Sequence, residues 1–414
     1  MTSEALMGIK KRSKVVLALL LAMTIFISDD TILFGTNADV DYLIFKYVVY
    51  LIAALGLLIN LKFEIVKLKD FLFLAAIITS IIFTSLFNLD FSGGYVYMIF
   101  IVVLAFLITR YFGVNVFAGL FKNYIFFLCL ISIPIFVIAN YYAWIFDYFP
   151  IGINSAGVEF VNLYFGSIYK DVAEIRNGSI FREPGVFAIY ILIAIIFEMF
   201  LSEKLDAKFI FVAFGTLLTT FSTAAVLILC ILIIGYVFRE GLITFRINSI
   251  LIAIILIISI LLFSLLPDLY SRIFSKLSSD SASFGSGIAR FASIVVNLEI
   301  FATHPLLGSG LGNYGNLFAE ISNRYFEEPL EASGQSTNSF MAIFATYGLV
   351  YGFIILYALM CLVGKITKSF VLRYLLFFSM ILMFSSQDMR YSLVFYILVF
   401  YGLRSPSSTF SRSA

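Results

Sequence analysis

The chain has 414 residues, of which 62% are apolar and 13% charged, with a formal net charge of +2. Ordinary soluble domains carry roughly 25% charged residues, so folding alone cannot keep this much Ile, Leu, Phe and Val from water, and the sequence reads as a polytopic membrane protein. A balance this close to neutral, with no Lys/Arg run beyond Lys10, Lys11, Arg12 and Lys14, excludes nucleic acid as a partner.

A helix crosses a bilayer with roughly 20 apolar residues, and with fewer where neighbours or local thinning help. Twelve runs qualify, at approximately 15–34, 42–60, 71–87, 95–109, 124–145, 184–201, 209–221, 223–238, 247–266, 337–359, 374–386 and 391–403. The basic start followed by Val15 to Ile27 is like a signal peptide, but there is no small-x-small cleavage pattern and Asp29-Asp30 follow directly, which predicts a retained first span. Between 209 and 238 the cluster Thr219-Thr220-Phe221-Ser222-Thr223 predicts a break into two short spans, because Ser and Thr side chains satisfy the backbone groups that a break frees. Two long polar segments interrupt the apolar pattern, at 146–183 and 267–336, and within the second Phe291 to Phe301 predicts an amphipathic helix lying on the surface. The expected fold is all-α: a single integral membrane domain over 1–414 with about twelve transmembrane helices and two long loops on one face. No soluble domain or internal repeat is seen, and the only low-complexity tract is the Ser-rich tail from Ser405.

Orientation follows from Lys and Arg in the short connections. With the amino terminus inside, the inner segments hold Lys62, Lys67, Lys69, Arg110, Lys122, Lys204, Lys208, Arg239, Arg246, Lys365, Lys368, Arg373 and Arg404 besides the basic start. The short outer connections carry Asp29, Asp30, Asp39, Asp41 and Asp90, with Arg390 as their one clear cation and Lys46 near the outer end of the second span. Both termini are therefore expected in the cytoplasm and both long loops outside.

The outward loops collect Lys170, Arg176, Arg182, Arg272, Lys276, Arg290 and Arg324. A guanidinium is planar, always charged and shaped to hold phosphate through two donors, so several on one membrane face point to a phosphorylated ligand. Any one of them is equally consistent with snorkelling to lipid headgroups or pairing with Glu159, Asp171, Glu174 or Glu183. Arg176 and Arg182 precede a helix opened by Pro184, whose amino end adds partial positive charge. Ser336, Thr337 and Asn338 open the tenth span with capping side chains. Glu183, between Arg182 and Pro184, is placed to act as a base or orient an arginine, and equally suits a helix amino end with no further role. His304, the single histidine, could serve as a general base, but His304-Pro305-Leu306-Leu307-Gly308 reads more as a surface helix returning to the membrane.

Other patterns carry less. Gly310 to Gly315 spells G-x-G-x-x-G with no preceding strand, which predicts tight turns and close backbone approach instead of a dinucleotide site. Asn177-Gly178-Ser179 matches a glycosylation sequon too short to weigh. Cys129, Cys230 and Cys361 sit in apolar runs at no metal or disulfide spacing and read as small hydrophobes. Asp39-Val40-Asp41 lies on a short connection and reflects topology, so no metal site is expected.

Arg176-Asn177-Gly178-Ser179-Ile180-Phe181-Arg182-Glu183-Pro184, an R-x-G-x-x-F-x-E-P pattern, resembles a segment of bacterial O-antigen and exopolysaccharide polymerases. The break at Thr219–Thr223, Arg290-Phe291, His304-Pro305-Leu306-Leu307-Gly308-Ser309-Gly310 and Thr337-Asn338-Ser339-Phe340 with Gly348-Leu349 continue the likeness in order, over about Arg176 to Gly352. The resemblance implies a GT-C-like glycosyltransferase of the bacterial inner membrane that uses no cofactor and joins undecaprenyl-pyrophosphate-linked oligosaccharides outside the membrane. Arg176 and Arg290 would hold the donor's pyrophosphate and Glu183 would orient the site or take the acceptor's proton. Arg182, Arg272, Asn338, His304 and Arg324 would contact pyrophosphate or glycan. The implied partners are the lipid-linked donor and acceptor, membrane lipids and a chain-length regulator protein. Ligases of the superfamily usually carry His where this chain has Thr337, which favours a polymerase, although His304 could substitute in space. A flippase for the same lipid-linked unit is the alternative from another class, but it would place its charges in a cavity between two similar halves.

Overall fold

The computed structural model describes residues 19–36, 40–60, 67–154, 158–170, 175–239, 284–325 and 336–405. The predicted span 247–266, together with Arg272 and Lys276, lies outside them. The helices are α1 (19–26), α2 (Val40–Asn60), α3 (Leu68–Phe87), α4 (Gly93–Tyr111), α5 (Val114–Tyr141), α6 (Pro184–Leu201) and α7 (Ala207–Thr219). They continue with α8 (Thr223–Arg239), α9 (Phe284–Thr303), α10 (Leu311–Tyr325), α11 (Ser339–Ile366), α12 (Phe370–Ser385) and α13 (Leu393–Leu403). Among the described residues, six are long and apolar enough to cross a membrane, namely α2 to α6 and α11, while α7, α8, α12 and α13 are apolar but shorter. A polytopic membrane fold rests on these; the number twelve does not follow from them.

The bundle is built around two helices with no polar face. α13, and α6 up to Glu198 near its carboxyl end, carry no charged residue and are buried nearly end to end, as expected of helices enclosed by other helices. At one end of the bundle, Asn88 after α3 donates to Gly308 O at 3.2 Å, Ser392 before α13 donates to Asp30 Oδ2 at 2.6 Å, and Ser339 at the start of α11 donates to Gln387 O at 2.6 Å. At the other end, Arg404 after α13 donates to Thr109 O of α4 and to Phe112 O just past its end at 2.6 and 2.9 Å, Arg110 meets Asp70 at 3.2 Å, and Lys122 meets Glu198 at 3.1 Å. The second end therefore collects the cations that the sequence assigned to the inner connections.

The first long segment departs from the all-α expectation. After a 3-10 turn at Ala143–Tyr148, it forms three short antiparallel strands, β1 (Ile151–Ile153), β2 (Glu159–Asn162) and β3 (Ser167–Tyr169), in the order β1-β2-β3. Phe160 pairs with Tyr169 and Val161 with Ile168, and Val161, Ile168, Ala139 and Phe146 form a small core against the end of α5. Strands of three or four residues are too short to leave a period-2 signature.

The first predicted span also ends early. α1 stops at 26, the chain turns through Ser28–Asp30, Thr31 bridges Phe181 in antiparallel fashion, and Ile32–Gly35 forms one helical turn. Asp29 and Asp30 thus fold inward instead of lying on an exposed connection. Asp29 takes a hydrogen bond from Lys46 Nζ at 2.7 Å, and Lys46 also donates to Phe34 O at 3.0 Å. Lys46 is 2% exposed, and removing one member of a buried pair leaves the other charge stranded, at a cost of about 3–5 kcal/mol. Lys46→Met is expected to lower the thermal unfolding midpoint of detergent-solubilised protein by that measure; an unchanged midpoint would show that the pair does not hold this fold-back.

α11 is broken at Gly348, whose φ of 78° and ψ of −171° lie outside the helical region. The break frees carbonyls that lipid cannot satisfy. The 305–310 segment supplies the partners: Ser309 N donates to Ala345 O at 2.9 Å, Gly310 N to Thr346 O at 3.1 Å, and Leu349 N to Pro305 O at 2.8 Å. The tight turn expected at Gly310, together with Gly308, both at positive φ, serves this close approach.

Candidate functional site

The segment that ends in Arg182 and Glu183 is held from beneath by the break between α7 and α8. α7 stops at Thr219, Phe221 takes φ of 49°, and α8 starts at Thr223, so the Ser/Thr cluster is a break as expected. Thr219 and Thr220 return their hydroxyls to Thr216 O and Leu217 O, each at 2.7 Å. Asn177 docks on the same break, its backbone N–H donating to Thr219 O at 3.0 Å and its amide to Thr219 Oγ1 and Ser132 Oγ at 2.9 and 3.1 Å. The sequon asparagine is therefore buried. Arg176 Nε and Nη2 donate to Thr220 O at 3.0 and 2.8 Å, so this guanidinium caps the carbonyl end of α7. From the other side, Ser167 N donates to Ser179 O at 2.8 Å and Tyr169 OH to Arg182 O at 2.6 Å, so the small sheet braces the segment.

Arg182 sits in a lattice of opposite charges at the mouth of α6. Its backbone N–H donates to Asp30 O at 2.9 Å and its Nη2 donates to Asp388 O. Burial disfavours its charge, but Glu183, Asp30, Asp388 and Asp29 outweigh that and raise its pKa above the ordinary value. Asp30, 1% exposed, accepts from Tyr190 OH and Ser392 Oγ, both at 2.6 Å. Its burial raises its pKa despite the nearby Arg182. Asp388 is clasped by Arg390 through Nε at 3.0 Å and Nη2 at 2.7 Å, and although burial pushes its pKa up, Arg390 and Arg182 bring it below the ordinary value. Arg390 in turn lies 4.4 Å above the Tyr314 ring and donates to Thr346 Oγ1 at 3.1 Å. Asp30, Asp388 and Arg390 were not singled out from sequence as site residues, because short acidic turns between spans read as topology. The adjacent opposite charges in Asp388-Met389-Arg390, on a connection otherwise free of cations, were the available signal.

Glu183 differs from its neighbours. It is the N-cap residue of α6, with Pro184 next, and its side chain makes no cap hydrogen bond. Its carboxylate is exposed. Arg290 of α9 lies within electrostatic reach: burial lowers the Arg290 pKa, and the Glu183 carboxylate offsets part of that. α9 is the surface helix expected from sequence, longer than the 291–301 core of the prediction. Its buried face carries Val296 and Ile300 against Tyr314 and Phe318 of α10 and Ala342 and Ala345 of α11, while Phe291, Ile294 and Leu298 form an exposed apolar stripe suited to the membrane interface.

The start of α11 converges on the same place. Thr337 N donates to Ser293 Oγ at 3.1 Å, less than one helical turn past Arg290, and Gln387, which receives the Ser339 hydroxyl, lies over Gly185. Asn338 caps α11 as expected, accepting from Met341 N at 3.0 Å, and is buried. Tyr314 OH links Asn297 Oδ1 and Ser336 Oγ, each at 2.8 Å, closing the floor.

Two residues from the sequence reading fall elsewhere. His304 follows the last residue of α9, about 21 Å along the helix axis from Arg290 at 1.5 Å per residue, with Nδ1 2.9 Å from Thr303 Oγ1. Arg324 is an exposed residue of α10 paired with Glu299 at 3.3 Å and Glu320 at 3.7 Å. The structure thus brings together Arg182, Glu183, Arg290 and Asn338, with Arg176 behind them.

Chemically, this is a place where an anion and a proton acceptor's carboxylate fit side by side. The amino end of α6 and the Arg290 guanidinium favour negative charge, and Glu183 is solvent-facing beside them. Among the described residues no group of His, Cys, Asp and Glu side chains is arranged to hold a metal ion.

Residues 209–357 match the sequence model of a family described as O-antigen ligase. The matched stretch contains Arg290, Asn338 and the Gly348 break and excludes the Arg176–Glu183 segment. The match supports the O-antigen ligase and polymerase superfamily, whose members are glycosyltransferase-like membrane enzymes, without separating ligase from polymerase. No curated protein matches the chain.

Proposed function

We propose that the protein is a polymerase of the bacterial inner membrane, joining undecaprenyl-pyrophosphate-linked oligosaccharide repeats into O-antigen, capsule or exopolysaccharide on the outer face. The observation that supports this reading is the exposed Glu183 carboxylate at the amino end of α6, within electrostatic reach of the Arg290 guanidinium. In the proposed step, an acceptor hydroxyl oxygen attacks the anomeric carbon of the donor glycan. The bond from that carbon to the diphosphate oxygen breaks, and the electron pair leaves with the polyprenyl diphosphate. Glu183 receives the hydroxyl proton, and Arg290, with the α6 dipole, neutralises the leaving diphosphate. Arg182 adds positive potential from below, Arg176 fixes the loop on Thr220, and Asn338 fixes the first turn of α11. A chain-length regulator is the protein partner implied by this reading, and both chain termini lie in the cytoplasm.

The ligase reading is favoured by the description of the matched family. Against it, Thr337 stands where such ligases usually carry histidine, and the single histidine, His304, is at the far end of α9. Purified full-length protein supplied with an undecaprenyl-pyrophosphate-linked repeat separates the two. A ladder of multiples from that substrate alone is expected of a polymerase; single transfer only onto an added lipid acceptor would assign a ligase. In the same assay, Glu183→Gln is expected to lower kcat by about 100-fold or more with little change in the donor's KM; a change confined to KM would mean that Glu183 binds substrate without moving a proton.

A further inference from the structure

At the opposite end of the bundle, α3, α11, α12 and the segment after α13 enclose a pocket of about 490 Å³. Its lining contains Lys69, Lys365, Arg373 and Arg404 and no carboxylate. Two of these cations are committed to backbone. Lys365 Nζ donates to Tyr401 O at 2.8 Å and Gly402 O at 2.6 Å, tying off the carbonyl end of α13, and Arg404 Nη1 donates to Thr109 O and Phe112 O at the end of α4. The neighbouring carboxylate, Asp70, lies outside the lining and is engaged by Arg110 at 3.2 Å and by Ser405 N and Oγ at 2.9 and 3.0 Å.

The other two cations are placed differently. Arg373 lies against Gly364 of α11, and its Nε is buried with no hydrogen-bond partner among the described residues. Lys69 is exposed at the rim, its Nζ 5.7 Å from the centre of the Phe73 ring. A buried guanidinium N–H without an acceptor is costly unless a ligand supplies one. Phe370 and Tyr374 of the lining and Phe378 beyond it recur at i, i+4 and i+8 on α12 and are 70, 49 and 52% exposed, so they form one lipid-facing stripe leading out of the basic mouth.

We infer that this pocket binds the phosphate of an anionic phospholipid from the adjoining leaflet, with Arg373 and Lys69 holding the phosphate and the acyl chains lying along Phe370, Tyr374 and Phe378. Basic pockets between membrane helices take anionic headgroups in this manner. The site is independent of the Glu183 end, and neither side chain belongs to the proposed catalytic apparatus.

The test uses full-length protein in detergent micelles and follows the thermal unfolding midpoint as phosphatidylglycerol, phosphatidylcholine or inorganic phosphate is titrated. Phosphatidylglycerol is expected to raise the midpoint and phosphatidylcholine to leave it unmoved. The Lys69→Gln/Arg373→Gln variant should lose about thirtyfold in apparent affinity for phosphatidylglycerol, while Lys69→Arg/Arg373→Lys, which keeps both charges, should retain most of it and guards against loss through misfolding. A comparable shift from inorganic phosphate alone, abolished in the Gln variant, would support the phosphate site but assign it to a soluble anion. Equal responses to the two lipids, or an undiminished response in the Gln variant, would overturn the inference.

Discussion

Replacing Arg290 with alanine is expected to reduce long-chain polysaccharide by about 100- to 1000-fold in cells lacking the native copy, while single-repeat product persists. The magnitude follows from removing one preorganised charged donor from a developing oxyanion, worth roughly 3–4 kcal/mol of barrier. Arg290→Lys keeps the charge but loses the two-donor geometry, and is expected to fall between wild type and alanine. The effect should be on turnover, because a leaving diphosphate gains charge on its bridging oxygen as the bond breaks, and Arg290 is worth most at that moment. Arg324→Ala is the matched control: it removes a guanidinium from the same long segment, but one already paired on the surface of α10 with Glu299 and Glu320, where such pairs contribute little. Normal chain length in a well-expressed Arg290→Ala strain would remove Arg290 from the chemistry. Arg176→Ala should also reduce product, but through the loop it secures on Thr220, and therefore with a lower unfolding midpoint as its signature.

Gly348→Ala is expected to be the most damaging substitution in the bundle, destabilising the protein by more than about 3 kcal/mol. Its backbone lies at φ 78° and ψ −171°, a region open in practice only to glycine. A Cβ there would sit 2.2 Å from Leu306 O, and that carbonyl belongs to the segment that satisfies the broken helix. The partner position is equally constrained: at Gly308, φ is 69° and a Cβ would fall 2.3 Å from the Thr346 backbone. Neither neighbour can give way without releasing Ser309 and Gly310 from the Ala345 and Thr346 carbonyls, and the bilayer offers those groups no replacement partner. Little folded protein should be recovered from Gly348→Ala, measured by monodisperse yield in detergent and by unfolding midpoint; wild-type yield and midpoint would mean that the break is not rigid.

Much of the helical plan was written in the sequence because lipid imposes a strong signal: long runs of Ile, Leu and Phe place α2, α3, α4 and α6 to within about three residues at each end, while α5 starts ten residues before the expected 124 and α11 runs seven residues past the expected 359. The α7–α8 break was legible for the same reason, since Thr219, Thr220, Ser222 and Thr223 interrupt that signal with hydroxyls. What escaped were features made by contacts distant in sequence. Asp30 meets Ser392 across 362 positions, and no local pattern announces that an acidic turn after the first helix will fold beneath the sixth. Arg176 and Arg290 look alike as loop arginines, yet one is turned onto the carbonyl of Thr220 and the other feels the charge of Glu183. The three strands were hidden by their brevity, and the Gly348 break by the continuous apolar run on both sides of it. The candidate site was legible as a neighbourhood through Glu183, Arg182 and Asn338, whereas the supporting lattice of Asp30, Asp388 and Arg390 became visible only in three dimensions.

A diphosphate-linked donor presented outside the cytoplasm can be used only if the Glu183–Arg290 end of the bundle faces that side. The most direct measurement is labelling of intact spheroplasts with a membrane-impermeant maleimide, in a background from which Cys129, Cys230 and Cys361 have been removed. Cysteine placed at exposed Glu159, next to Phe160, which pairs with Tyr169, whose hydroxyl meets Arg182 O, should label at once, and cysteine placed at exposed Lys368, at the other end, should label only after lysis. The reverse pattern would put Arg290 in the cytosol, away from the donor, and the proposed chemistry would have to be given up.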